Sequence, residues 1–177
     1  MSDDFNFEPI LGLPEDLPLG EEILWQGNPN RFRLAWNSFG VMWISIYVFL
    51  AMLIHIYQGF LSSSSELLLP IIFFYFLIWL STSGLMAFLA NLQGKSSIYT
   101  ITNKRVVMRI GVALPITFNI PFTQISSVDL KFYGRTGSIA LSLSGNNKIS
   151  YANCWPHVRP WYFSKPAPSL LFLENAE

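Results

Sequence analysis

Histidine, cysteine and acidic residues are scarce in this chain, and each scarcity removes a class of chemistry. There are two histidines and one cysteine in 177 residues. A lone Cys154 cannot form an intrachain disulfide, nothing points to an oxidising compartment, and the residue reads as a small buried apolar side chain. Cys154 and His157 are too few ligands for zinc, so no metal site is expected. Between residues 95 and 165 the only carboxylate is Asp129. That excludes paired-carboxylate catalysis there, and no third group exists to orient a Cys–His nucleophile. No catalytic residue, enzymatic activity or required cofactor is expected. Internal repeats are also missing, and Ser62 to Ser65 is the one biased tract, reading as a loop tip.

Charge is absent where its absence says most. Leu34 to Tyr57 and Leu67 to Gly94 contain no Asp, Glu, Lys or Arg. A helix of about 20 apolar residues crosses a hydrocarbon core of roughly 30 Å. Two transmembrane helices joined by the loop 58–66 are therefore expected, and the first starts too far from the N-terminus, behind an acidic tail, to be a cleaved signal peptide. Arg31 and Arg33 precede the first span, and Lys95, Lys104, Arg105 and Arg109 follow the second, whereas the loop has no cation. Cations are retained on the cytoplasmic side, so both termini are expected there. Trp36, Trp43 and Tyr57 suit aromatic anchors at the two interfaces.

A net charge of zero hides an asymmetry. Residues 1–33 open with an acidic tail, seven carboxylates lying before residue 31, while 95–165 hold nine Lys or Arg. A basic domain tethered at the inner leaflet is attracted to anionic lipid at about 1 kcal/mol per cation that reaches the surface. Arg31, Arg33, Lys95, Lys104, Arg105, Arg109 and Lys131 are the candidates for topology and headgroup contact, although Lys131, with Arg135 and Lys148, also reads as solvating an exposed face. Nucleic acid is not expected as a partner, because no helix-turn-helix, zinc-finger or RNP pattern accompanies the charge.

From Ser96 onward apolar residues alternate in short runs broken by Gly, Pro and Asn, the pattern of half-buried antiparallel strands. Strands are expected at 98–102, 105–110, 116–120, 125–132, 138–143 and 148–151, the last two joined by a turn at Gly145-Asn146-Asn147. Ile23 to Gln26 is a candidate seventh strand. Four prolines after Cys154 forbid regular structure, and Ser169 to Ala176 is left for a short terminal helix capped by Ser169.

The stretch Tyr99-Thr100-Ile101-Thr102-Asn103-Lys104-Arg105-Val106, then Gly111, then Ile120 to Val128, resembles the bacterial PH-like domain family that follows a transmembrane hairpin. The two ends, Gly12 to Pro18 with Gly20 to Gly27, and Trp155-Pro156-His157-Val158-Arg159-Pro160-Trp161, are similar to the PuhB family of photosynthetic-complex assembly proteins of purple bacteria. The resemblance implies a membrane α-helical hairpin plus an all-β PH-like small barrel or sandwich at 95–177, with a short C-terminal helix. It also implies a non-enzymatic factor whose partners are reaction-centre and light-harvesting 1 subunits in the photosynthetic membrane. The competing reading is a membrane-anchored PH-like module that binds lipid or peptide without a photosynthetic client.

Four groups of residues carry competing roles. Trp155, His157, Arg159 and Trp161 are candidate partner contacts on an extended proline-held segment, against packing on their own sheet. Ser83, Gly84 and Ala87 form a small-residue patch on the second span that permits close helix approach, with the first span the default neighbour and a second copy or a client helix the alternatives. His55 lies four residues after Ala51, an arrangement by which it resembles antenna helices that ligate bacteriochlorophyll magnesium. Reaching interfacial water is the leading role for that imidazole.

Overall fold

The computed structural model describes residues 10–61, 68–145 and 149–174. The Ser62–Ser65 tract, Asn146, Asn147 and Lys148 and the first nine residues of the acidic tail lie outside these residues. The chain divides into a strand unit, residues 10–31 with 92–174 of those described, and a helical unit within Phe32–Asn91.

The helical unit opens with a short turn, Arg31–Arg33 continuing as a π-turn at Leu34–Ser38. Gly40 then takes φ +72°, which a helix cannot continue, and its carbonyl accepts the first bond of the next helix from Ile44 N–H. The first long helix, α1, is thus Val41–Leu61 and not the expected 34–57. Its 21 residues span about 31 Å, close to a hydrocarbon core. The second helix, α2, is Leu68–Ser96, long and apolar enough to cross a membrane as α1 is. Two hydrogen bonds tie them as a hairpin: Trp79 Nε1 donates to Ser45 Oγ at 2.9 Å, and the Tyr75 hydroxyl meets His55 Nδ1 at 2.5 Å.

The strand unit is two antiparallel sheets. One holds β1 (Ile23–Gly27), β2 (Ile98–Thr102), β3 (Arg105–Ile110) and β4 (Ile116–Pro121) in that order; the other holds β5 (Ile125–Tyr133), β6 (Thr136–Leu143) and β7 (Ser169–Glu174). Ile23–Gln26 is therefore a strand as expected. Its segment is sewn in by Asn103, which accepts from Glu22 N–H and donates to the Gly20 carbonyl. The core joins Tyr99, Val106, Met108, Ile110 and Ile120 of the first sheet to Leu141, Leu170 and Leu173 of the second. A two-sheet sandwich results.

Two expected elements are corrected. Where a terminal helix was expected at 169–176, the described residues Ser169–Glu174 are a strand, β7, paired with β6. Two turns of helix are marginal alone, whereas a strand gains a ladder and hides Leu170, Leu171, Phe172 and Leu173 at once. A strand covered on both faces reads as a continuous apolar run, so its period of two is invisible. Of the strand expected at 148–151, the described residues 149–151 form none: Tyr151–Cys154 is one helical turn, α3.

The β3–β4 hairpin closes on Gly111, at φ +110°, where an added Cβ would stand 2.4 Å from the Leu114 carbonyl oxygen. Gly145 has a similar φ of +86° with nothing within 4 Å. Gly111→Ala is therefore expected to lower unfolding free energy by roughly 1–3 kcal/mol, and by more than Gly145→Ala does. Denaturant unfolding of the two variants in detergent checks this; equal losses would contradict it.

Candidate functional site

The Trp155 to Trp161 segment leaves α3 through a cis Trp155–Pro156 bond and runs beside β7, with Ser169 N–H donating to the His157 carbonyl and Arg159 N–H to that of Ala167. This places His157 in the interior. Its ring is 0% exposed, which overturns the expectation that it belongs to a partner surface. The hydroxyl of Tyr99 lies 2.5 Å from Nδ1, the hydroxyl of Ser97 3.0 Å from Nε2, and the Gln93 side-chain amide 3.2 Å from Nε2.

Proton bookkeeping assigns the tautomer. Leu171 N–H donates to the Tyr99 oxygen, so the phenol proton is directed at Nδ1, which must be unprotonated to accept it. The ring proton then sits on Nε2 and is donated to Ser97 Oγ, whose own proton goes to the Gln93 carbonyl at 2.6 Å. The opposite tautomer would leave a fully buried phenol O–H without an acceptor, at a cost of about 1–3 kcal/mol. With Nε2–H in place, the Gln93 amide oxygen is the end that faces the ring. Burial pushes the imidazole down to about 3 and the Tyr99 phenol well up, so both are neutral near pH 7. Cys154, also buried, is pushed up to about 11 and is an unreactive thiol.

Around this anchor the same segment exposes side chains. Trp155 is 47% and Trp161 84% exposed, the latter at φ +66°. Arg159 pairs with Asp129 of β5 and lies over the Tyr162 ring, its guanidinium carbon 4.3 Å from the centroid. The outward-facing part of this segment is thus Trp155, Arg159 and Trp161, without His157. Next to it is a cleft of about 1020 Å³ between Ser126, Ser142, Tyr151, Phe163 and Lys165.

The cations expected at headgroups scatter. Arg31 lies over Gly94, and Lys95 is exposed beside it. Arg33 is half-buried, its carbonyl taking a bond from Asn37. Lys104 and Arg105 occupy the β2–β3 turn, at the other end of β2 from α2. There Lys104 donates to the Leu19 carbonyl, and Arg105 Nε donates to Glu21 Oε1 at 2.8 Å. That bond, with another from Thr102, holds the Glu21 carboxyl below its ordinary range against the opposing effect of burial. Arg109 is 5% exposed, which corrects its assignment to headgroups, and Lys131 lies over the Tyr133 ring.

In the helical unit, Ser83 is buried with a hydroxyl that has no partner among the described residues. Gly84 and Ala87 are exposed, and a Cβ at Gly84 meets nothing within 4 Å, so these two residues do not pack on the first span. His55 is exposed, bonded through Nδ1 to Tyr75. Between the helices runs an apolar groove of about 510 Å³ lined by Val48, Phe49, Met52, Ile72, Phe76 and Trp79 among others.

The profile of the family described as "Bacterial PH domain" matches residues 39–160, more than half of the chain. This protein belongs to that family. The bacterial PH segment therefore includes both long helices, the five strands β2 to β6 and α3, leaving β1 and β7 outside it. A relative in Rhodobacter capsulatus, the "Uncharacterized 23.7 kDa protein in puhA 5′region", is 41% identical over 181 residues, covering 100% of this chain and 85% of its own. No solved structure matches.

Tyr99, Ser97, Gln93 and Glu21 were not singled out by sequence reasoning. Tyr99 and Glu21 lie inside the stretches that carry the family resemblance, which was the available signal. Tyr99→Phe strands Nδ1 and Leu171 N–H and is expected to lower stability by about 1–3 kcal/mol at pH 7. The His157 value is depressed from 6.5 to about 3, so the native state binds fewer protons between those limits. Stability is then full above about pH 6.5 and falls toward pH 3 with a slope approaching about 1.4 kcal/mol per unit. Glu21, also depressed, adds loss only below its ordinary value of 4.5. Unfolding between pH 7 and 5 isolates the histidine: the slope there should vanish in His157→Leu, and a slope retained in that variant would contradict the assignment.

Proposed function

We propose that this bacterial PH-domain protein is a non-enzymatic, PuhB-type assembly factor for the photosynthetic reaction centre–light-harvesting 1 complex, working in the inner membrane with both termini cytoplasmic. The observation that carries the reading is the hairpin's free apolar surface. Only Val41 and Val48 of α1 are buried, and two side-chain bonds bridge the helices across an open groove. In lipid, helices associate through packing and hydrogen bonds, so such a pair has unused surface for client helices. Gly84 and Ala87 lie on this free surface and offer a place of close approach.

The strand unit supplies the second half of the mechanism. Buried His157 fixes the segment from which Trp155, Arg159 and Trp161 project, so these side chains meet the soluble parts of a client without ordering cost at the backbone. No step needs a cofactor or metal. His55 retains its interfacial role, with Tyr75 as its partner, ahead of bacteriochlorophyll ligation. The location of the relative in the puhA 5′ region supports a puh-locus role.

The serine-lined cleft beside Tyr151 favours the second reading, a PH module that takes lipid or peptide with no photosynthetic client. Affinity purification from membranes actively building photosynthetic complexes separates the two. Reaction-centre or light-harvesting 1 subunits should co-purify, and recovery should drop when Trp155 and Trp161 are both replaced by Ala. Recovery of lipid alone would contradict the assembly role.

A further inference from the structure

The tip of the β3–β4 hairpin, Gly111-Val112-Ala113-Leu114-Pro115, is chemically out of place for a turn in water. The other two hairpins turn on Asn103-Lys104 and Gly134-Arg135, residues suited to solvent. Here the turn carries no charge, Leu114 is 82% and Val112 45% exposed, and Ile116 at its base is 38% exposed. Gly111 lets the backbone close tightly, which fixes Leu114 at the apex.

Strand register says where this tip is. Ile98, at the start of β2, pairs with Arg109, and the next pair along is Ile110 with Ile116. β2 begins two residues after Ser96, the last residue of α2. The tip therefore projects past Ile110 on the side where the chain emerges from α2. Ile110, next to the Arg109 partner of Ile98, is thus one strand, about 4.8 Å, from the point where α2 hands the chain to β2, and the tip lies just beyond it. Gly27 of β1 pairs with Tyr99 at this same end, and Arg31 lies over Gly94, so the cations Arg31 and Lys95 belong to the end of the sheet that carries the tip. The opposite end, with Lys104 and Arg105 engaged by Leu19 and Glu21, has no such tip.

The length of α2 sets the depth. Its 29 residues extend about 43 Å, beyond a hydrocarbon core of roughly 30 Å, so its last polar turns, Asn91 to Ser96, belong to the headgroup layer. We propose that the β3–β4 tip is a membrane wedge: Val112 and Leu114 dip into the interfacial layer of the bilayer that α2 crosses, with Arg31 and Lys95 on the phosphates beside them. The inference rests on the reading of α1 and α2 as transmembrane. It gives the lipid contact a definite surface, a hairpin apex in place of the dispersed cations. Amphipathic surface elements of this kind bury their apolar side chains about 5–10 Å into the boundary between headgroups and acyl chains.

The full chain in vesicles of phosphatidylethanolamine and phosphatidylglycerol, labelled with an environment-sensitive fluorophore at a single introduced cysteine, tests this. Buried Cys154 serves as the unlabelled background, checked with the parent protein. Leu114→Cys probes the tip, Leu19→Cys an exposed point at the far end of the sheet, and Leu80→Cys the middle of α2. The wedge requires blue-shifted emission at 114, quenching there by lipids carrying a nitroxide near the headgroup, and neither effect at 19. A tip that behaves like position 19 while position 80 is quenched by lipid nitroxide overturns the wedge and leaves the spans intact. A tip shielded from both aqueous and lipid quenchers lies against protein, which also overturns it. Failure of lipid quenching at position 80 overturns the transmembrane reading itself.

Discussion

A neutral imidazole sealed at the point where a long apolar helix becomes a β-sheet is the constraint on which the strand unit depends. His157 binds the last turn of α2 through Gln93 and Ser97, the first strand after it through Tyr99, and β7 through the contact of Tyr99 with Leu171. Residues 93–99, His157 and Leu171 are thereby held together although the first stretch is about 60 residues or more from the others. A buried polar group is costly unless every donor and acceptor is satisfied, and here one orientation of protons satisfies the chain from Leu171 N–H to the Gln93 carbonyl. Other arrangements of these segments would leave a phenol or an imidazole unpaired, which is how such a network selects one geometry.

That constraint gives the Trp-Pro-His stretch two faces with separate duties. The buried face is structural, and the outward face carries Trp155, Arg159 and Trp161 on a backbone that is already fixed. A second clasp at the other end of the first sheet works similarly. Glu21, Thr102 and Arg105 bring the segment before β1 onto the β2–β3 turn, so residues separated by more than 80 positions share one ion pair. With both ends held, β1 can complete a sheet whose other strands follow the helices.

The sequence disclosed what periodicity and hydropathy carry. The two helices, the β2–β3 turn at Asn103-Lys104 and the strands β3 to β6 follow from local pattern, short apolar runs broken by Gly, Pro and Asn. β7 did not, since Leu170 to Leu173 are covered on both faces and lose their alternation. The start of α1 was misplaced because hydropathy does not register the left-handed Gly40 inside an apolar run. His157 looked available as a proline-flanked surface residue; its burial depends on Tyr99 and Gln93, about 60 residues away, and no local pattern encodes that distance. Likewise, Arg109 was indistinguishable from Lys95 by charge alone, and only the sheet decides that one is buried and the other exposed.

The most direct test is nitrogen-15 NMR of the imidazoles in the full chain in lipid. With His55 and His157 the only histidines, His55→Gln leaves a single ring to observe. The expected signal is a neutral ring protonated on Nε2, with Nδ1 accepting a hydrogen bond, unchanged from pH 8 to pH 5 and slow to exchange with water. A ring that titrates near 6.5 and exchanges freely would place His157 at the surface and contradict the buried lock.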